Sequence, residues 1–212
     1  MASATRRRAR RNSRGEAADR MIAVGRELLS DRDIDLLTVR EIAEAAGSSV
    51  GSFYNCFGDK EQYFASLIED MVLRRQAGAR VNFGQPFAEL PRALATGAIT
   101  NFREHQGMIR SALRKHLLGA PVWDPISVMS TEFVDEYRRR CSQHLGRPLT
   151  RTERKRIAFA FVWLYGMLMQ QVMRVNNTHD YDSQDQEFTE HAVQSFLSLL
   201  YDAIPLTGTA EG

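Results

Sequence analysis

The chain has little cysteine and no long hydrophobic run, and these absences exclude several classes of protein. Its two cysteines, Cys56 and Cys141, are far apart among 212 residues, so neither a disulfide framework nor a cysteine-rich zinc site is indicated. The longest apolar run, Ile157 to Met169, is shorter than the roughly 20 residues that cross a bilayer. The basic N-terminus precedes an amphipathic pattern rather than the apolar core of a secretory signal. We therefore expect a cytoplasmic protein with no membrane partner.

Signals of catalysis are also missing from the sequence. The five histidines show no metal-ligand spacing, and the chain contains neither a nucleophile motif nor a phosphate-binding loop. We expect no enzymatic activity, no metal and no cofactor.

The net charge of +2 conceals an uneven distribution of charge. Residues 1–15 contain six arginines and no acidic residue, whereas residues 16–60 contain nine acidic and five basic residues. Such an arginine cluster is either a solvated tail or an arm that contacts phosphates and the minor groove of DNA. Its position directly before the segment described next favours the second interpretation.

The hydrophobic periodicity is helical almost throughout and predicts an all-α fold of about nine helices. The most specific segment is 38–60. Thr38 and Glu41 have the spacing of a capping box, Gly47 is placed to end that helix, and Ser48 or Ser49 can cap the next one. The second helix is small and polar on one side and apolar on the other (Val50, Phe53, Phe57). This pattern predicts a helix-turn-helix whose second helix enters the major groove.

The residues Thr38, Glu41-Ile42-Ala43, Ala46-Gly47, Gly51-Ser52-Phe53-Tyr54, Phe57 and Lys60-Glu61 resemble the TetR family of transcriptional regulators. The resemblance covers about the first 70 residues. It implies that Thr38 caps a helix and touches phosphate, that Tyr54 bonds the DNA backbone and that Lys60 meets a phosphate. The full set of expected DNA-binding residues is Arg10, Arg11, Arg14, Thr38, Arg40, Ser48, Ser49, Val50, Gly51, Ser52, Tyr54, Asn55 and Lys60.

Two positions depart from the family pattern. Val50 stands where many members carry lysine or another polar residue, and Cys56 stands where histidine or tyrosine is frequent. Val50 is expected either to contact a thymine methyl or to pack within the domain. Cys56 is either structural or a redox-sensitive thiol, and only Lys60 is near enough in sequence to lower its pKa.

The resemblance and the periodicity together divide the chain into four parts. Residues 1–15 are expected to be a basic, disordered arm, and residues 16–62 the helix-turn-helix DNA-binding domain. Residues 63–205 would form an effector-binding and dimerisation domain, and residues 206–212 a disordered tail.

The helix predicted over 151–176 is apolar on every side, so it is either a central core helix or packs on a twin subunit while lining a cavity. The second interpretation agrees with the dimers of the TetR family. One helix-turn-helix reads few base pairs, and two related by a two-fold axis read a palindrome. The expected homodimer interface consists of Phe161, Tyr165, Val193, Phe196, Leu197 and Leu200.

The C-terminal half is also rich in methionine and aromatic residues, which suit an apolar pocket with a few polar groups. The resemblance implies that a small hydrophobic effector binds there and releases a repressor from a palindromic operator. The expected effector-binding residues are Phe102, Arg103, Trp123, Met129, Phe133, Tyr137, Trp163, Met167 and Gln170.

Two functions from other classes remain as alternatives. One is a small all-α enzyme or carrier that uses the apolar C-terminal cavity. The other is a helical protein-interaction module, which would leave the segment 38–60 and the arginine arm unexplained.

Overall fold

A computed structural model of the protein describes residues 2–173 and 186–204, with side chains from Gly15 onward. Within these ranges the chain forms nine α-helices, two 3-10 turns and no strand, which confirms the predicted all-α fold. The helices are α1 (Ala2–Leu28), α2 (Val39–Ala45), α3 (Val50–Phe57), α4 (Lys60–Phe83), α5 (Leu90–Glu104), α6 (Gln106–Leu117), α7 (Asp124–Leu145), α8 (Arg151–Met173) and α9 (Gln186–Tyr201). The 3-10 turns are Ile34–Leu36 and Pro121–Trp123.

The first helix differs from the expectation for residues 1–15. A disordered arm was predicted there, but α1 begins at Ala2 and continues to Leu28. Alanine and arginine dominate this segment, and both favour a helix.

The described chain divides into two compact units, which differ from the predicted boundary at residue 62. The first unit contains residues 1–73 and 105–125, and the second contains residues 74–104 and the chain from 126 onward. The first unit therefore includes α6, because the start of this helix packs on the turn that follows α1. The amide of Met108 donates to the carbonyl of Leu29 over 3.1 Å, and the amide of Gly107 donates to Ser30 over 3.2 Å.

The second unit has its core among α5, α8 and α9. Leu94, Ile99, Leu164, Phe196 and Leu200 are each at most 3% exposed there. The start of α8 has a second capping box, because the amide of Thr150 donates to Glu153 and the amide of Glu153 donates to the Thr150 hydroxyl. The predicted tail, 206–212, lies outside the described residues.

No helix within the described ranges is long and apolar enough to cross a membrane. Among the same residues, no group of three or more histidine, cysteine or acidic side chains could hold a metal ion.

Candidate nucleic-acid interface

The turn between α2 and α3 is built by short-range hydrogen bonds and one glycine. The amide of Glu41 donates to the Thr38 hydroxyl over 3.1 Å and the amide of Thr38 donates to the Glu41 carboxylate over 2.7 Å, which confirms the predicted capping box. Gly47 has a φ of 58°, a left-handed conformation that glycine adopts without steric cost. Of the two candidate serines, Ser49 is the cap of α3, since its hydroxyl accepts the amide of Ser52 over 3.1 Å.

One face of α3 anchors the helix in the first unit. Phe53 is fully buried and Phe57 is 9% exposed. Their rings lie 5.1 Å and 4.9 Å from the ring of Tyr63 on α4. The Tyr63 hydroxyl donates to the carbonyl of Met21 over 2.8 Å, so α1, α3 and α4 share one aromatic core. These contacts fix the orientation of the opposite face of α3.

The opposite face of α3 is open to solvent. Tyr54 is 51% exposed, and Gly51 and Asn55 are exposed as well. A Cβ atom built on Gly51 would have only the Ser49 hydroxyl within 4 Å, at 3.8 Å. A helix with such a small and polar surface can approach base edges closely.

Val50 lies on the exposed face of α3. The prediction that placed it on the apolar side with Phe53 and Phe57 is therefore wrong. Val50 is 40% exposed, whereas the two phenylalanines are buried. As the first residue of α3, Val50 projects at the open end of the helix, where it does not reach the core. Cys56, the other departure from the family pattern, is half-buried.

The remaining residues expected to contact DNA lie on α1, on α2, in the turn before α3 and at the start of α4. Lys60 is the first residue of α4 and half-buried. Arg40 is exposed on α2 and donates to Glu44 over 2.8 Å. Ser48 is half-buried. Arg10, Arg11 and Arg14 fall in α1, and their side chains lie outside the described set.

Many acidic groups of the first unit are neutralised internally, which the sequence analysis missed. Asp33 is buried between Arg110 and Arg114 of α6, at 2.7 Å and 2.6 Å. Arg114 also pairs with Asp35, and Lys115 pairs with Glu61 at 3.0 Å. The spacing of Arg110 and Arg114 could have indicated that both pair with the same acidic group, because residues four apart share one helix face.

The expected effector-binding residues are divided between the two compact units. Trp123 lies in the first unit, 6.2 Å from the ring of His116, whereas the other eight lie in the second. Gln170 is exposed, and Arg103 donates to the Thr189 hydroxyl over 2.7 Å. The remaining six are buried or half-buried: Phe102, Met129, Phe133, Tyr137, Trp163 and Met167.

The expected dimer interface is largely buried inside the subunit. Phe161, Val193, Phe196, Leu197 and Leu200 are at most 4% exposed, and Tyr165 is half-buried. The exposed apolar side chains of α8 are instead Phe159 (59%) and Val162 (69%). Periodicity could not select the outer face, because α8 is apolar on all sides. A groove of about 710 Å³ beside Phe159 is completed by Lys155, Arg156, Leu199 and Asp202.

Taken together, the capped turn, the buried aromatic anchor and the small polar outer face define a helix-turn-helix DNA-binding protein. Residues 21–67 match the family described as bacterial regulatory proteins, tetR family. This match lies in the DNA-binding segment and confirms the resemblance to the TetR family of DNA-binding transcriptional regulators that residues 38–61 predicted.

Three solved structures share the fold at low sequence identity. The structure of a TetR-family transcriptional regulator from Rhodococcus sp. has a TM-score of 0.65 and 17% identity, covering 89% of this chain and 98% of that chain. PfmR of Thermus thermophilus has a TM-score of 0.59 and 16% identity, covering 85% and 96%. GusR of Salmonella enterica has a TM-score of 0.59 and 14% identity, covering 87% and 95%. No curated protein sequence matches the chain.

Proposed function

We propose that the protein is a cytoplasmic, homodimeric repressor that a small, largely hydrophobic effector releases from a palindromic operator. The observation that carries this proposal is the exposed face of α3, where Gly51, Asn55 and Tyr54 stand opposite a fully buried anchor. Small and hydrogen-bonding groups on a rigidly held helix suit the reading of base edges in the major groove.

The outer face of α8 supports the homodimer. Phe159 and Val162 are three residues apart and each exposes more than half of its surface, and Phe159 lines a groove together with Leu199. Burial of adjacent apolar side chains in a two-fold contact would remove this surface from water. Two copies would then present two α3 helices to the two halves of a palindrome.

Release by an effector is proposed as a population shift. The dimer has a DNA-competent arrangement of its two α3 helices and at least one incompetent arrangement. An effector that binds the second arrangement more tightly moves the equilibrium by its differential affinity alone. Because α4 contributes residues to both compact units, we propose it as the element through which the two sites communicate.

Fluorescence anisotropy on DNA fragments from upstream of the protein's own gene and its neighbours tests the proposal. At about 0.15 M salt, where exposed charges are screened beyond roughly 8 Å, we expect one fragment to bind at least about 1,000-fold more tightly than random DNA. Equal binding of every fragment and random DNA would contradict an operator-specific regulator.

Deletion of residues 1–14 tests the contribution of the arginine arm in the same assay. Removing one phosphate contact should reduce the slope of log affinity against log salt by about 0.9. The deletion should therefore weaken binding and flatten the salt dependence, while the order of preference among fragments, set by α3, is retained. An unchanged slope would show that the arginines are a solvated segment.

A further inference from the structure

Arg75 on α4 is a cation in the second unit with no counter-ion among the described residues. Its guanidinium carbon lies 5.1 Å from the ring centroid of Phe133 on α7. Within residues 15–173 and 186–204, Arg75 forms no ion pair and donates no hydrogen bond. Arg140 of the same unit, by contrast, donates to the carbonyls of Phe83 and Gln85.

The surroundings of Arg75 hold the guanidinium beside a phenol. A Cβ atom at Gly97 would lie 3.3 Å from one terminal nitrogen of Arg75, so the bare backbone of α5 leaves room for the cation. Burial lowers the pKa of Arg75 and the neighbouring Tyr165 opposes this effect. Burial likewise raises the pKa of Tyr165, and Arg75 opposes that effect. The two groups are therefore near enough for their charges to interact.

The polar atoms of Arg75 and Tyr165 nevertheless keep some accessible surface. In the described part of the chain, the only side-chain nitrogen or oxygen that is buried without a hydrogen-bond partner is Nε of Arg138. Neither Arg75 nor Tyr165 makes a hydrogen bond there, so their polar atoms must keep accessible surface, and both side chains are half-buried. The ring of Phe102, 6.3 Å from that of Tyr165, adds an apolar neighbour.

We propose that Arg75 and Tyr165 bind the head group of the effector, a singly charged anion such as a carboxylate, carried on an aromatic or otherwise apolar body. This proposal rests on the effector response proposed above and names the chemical class of the effector. The planar guanidinium presents paired N–H groups that fit a carboxylate, and the Tyr165 hydroxyl can donate to the same anion.

The contact with Phe133 determines how the anion approaches. The aromatic ring lies against the guanidinium, so the N–H edges are left for a ligand. A half-buried cation without a partner loses hydration and gains no ion pair in return, and a bound anion removes this cost. A neutral ligand of the same shape does not remove this cost, because it brings no charge to pair with the guanidinium. One cation also matches one negative charge better than a phosphate group, which carries nearly two.

Two fluorescent dyes of nearly identical shape test the charge requirement on the full-length protein. Anilinonaphthalene sulfonate is a monoanion, and N-phenylnaphthylamine has the same aromatic body without the charge. We expect the sulfonate to bind at least about tenfold more tightly. Arg75→Gln should abolish this preference while the neutral dye binds within about twofold of its wild-type affinity. Phenylacetate should displace the sulfonate dye, and phenylacetamide should not.

Matched variants separate recognition from folding. Arg80→Gln removes an exposed arginine from the same helix and should leave both dye affinities unchanged. Tyr165→Phe keeps the ring and should weaken only the binding of the sulfonate dye. This variant provides a second test if Arg75→Gln does not fold, as judged by the loss of a cooperative unfolding transition.

The outcomes distinguish this proposal from the one on which it rests. If the wild-type protein binds both dyes equally, or if Arg75→Gln weakens both to the same degree, the anion site is contradicted while an apolar effector site stands. If neither dye binds, the effector site itself is contradicted. Retention of the preference in both variants would assign Arg75 and Tyr165 to packing alone.

Discussion

Single side chains set the local geometry of the DNA-binding turn, and one of them, the carboxylate of Glu41, has a shifted pKa. The backbone amide of Thr38, together with the Thr38 hydroxyl and Arg32, lowers the pKa of Glu41 from 4.5 to about 2. A carboxylate with a lowered pKa in the folded state stabilises the protein above its unfolded pKa. This contribution is lost as the pH falls from 4.5 towards 2.

Glu41→Gln should therefore make the stability of the protein less sensitive to pH between 4.5 and 2. Glutamine also functions at this position of a capping box, so the helix start is preserved while the titration is removed. Thermal unfolding midpoints across this range measure the effect. Glu89→Gln, which removes an exposed carboxylate outside both capping boxes, controls for the change in net charge. An unchanged pH dependence in Glu41→Gln would contradict the coupling.

Much at the residue scale was readable from the sequence, because caps and turns depend on a few local residues. The capping boxes at Thr38 and Thr150 and the glycine turn at Gly47 needed no tertiary information. Arg75 could not be identified in this way. An arginine on a long helix is usually solvated, and only the packing of α5, α7 and α8 around it shows that it lacks a counter-ion.

Whole helices are positioned by contacts that periodicity cannot specify, and α6 is the main example. A Cβ atom at Gly107 would lie 2.1 Å from the carbonyl oxygen of Arg32. Ser111, one turn further, accepts the amide of Ile34 over 3.0 Å and donates to the carbonyl of Gly107. The local sequence cannot specify this packing, because the face of α6 that meets the turn after α1 depends on distant residues.

Gly107→Ala should destabilise the protein by about 1–3 kcal/mol, because the obstructing atoms belong to the backbone and cannot rotate away. Urea unfolding provides the measurement. Gly78→Ala is the matched control, since a Cβ atom there meets nothing within 4 Å, and it should stabilise α4 by about 0.5–1 kcal/mol. Equal effects of the two substitutions would show that the close approach of α6 is not required.

Gly51 on α3 gives the opposite case, a glycine that the fold leaves open and that we propose DNA binding requires. Gly51→Leu should leave the free energy of unfolding within about 1 kcal/mol of wild type, because the position is open. Operator affinity should fall at least about tenfold, since the added side chain holds α3 away from the base edges. Anisotropy measures the loss, and Gly78→Leu on α4 should bind as the wild type does. Wild-type affinity in Gly51→Leu would exclude close approach at this point.

At the scale of the whole molecule, the sequence predicted the fold class correctly but did not predict which helix faces are exposed. An all-helical chain with a helix-turn-helix follows from periodicity and local signals, and both are present. The outer face of α8 required the packed structure. Five of the six residues expected at the dimer interface fill the core of the second unit, and Phe159 and Val162 remain outside. An element that is apolar all round gives no sequence signal for which side faces inward.

Val162→Asp should separate the proposed dimer into folded monomers. Val162 is 69% exposed within one chain, so a carboxylate there costs the isolated subunit little, but in a dimer contact it would be desolvated beside Phe159. Sedimentation velocity at micromolar protein should show a monomer. Val128→Asp, which introduces the same charge at a 58% exposed position on α7, should remain dimeric. Binding to a full palindrome should weaken strongly in Val162→Asp, whereas binding to a half-site should be retained, because each α3 is intact.

A dimer that persists in Val162→Asp would place the interface elsewhere. Dissociation of both variants would show that added charge, rather than this face, controls assembly.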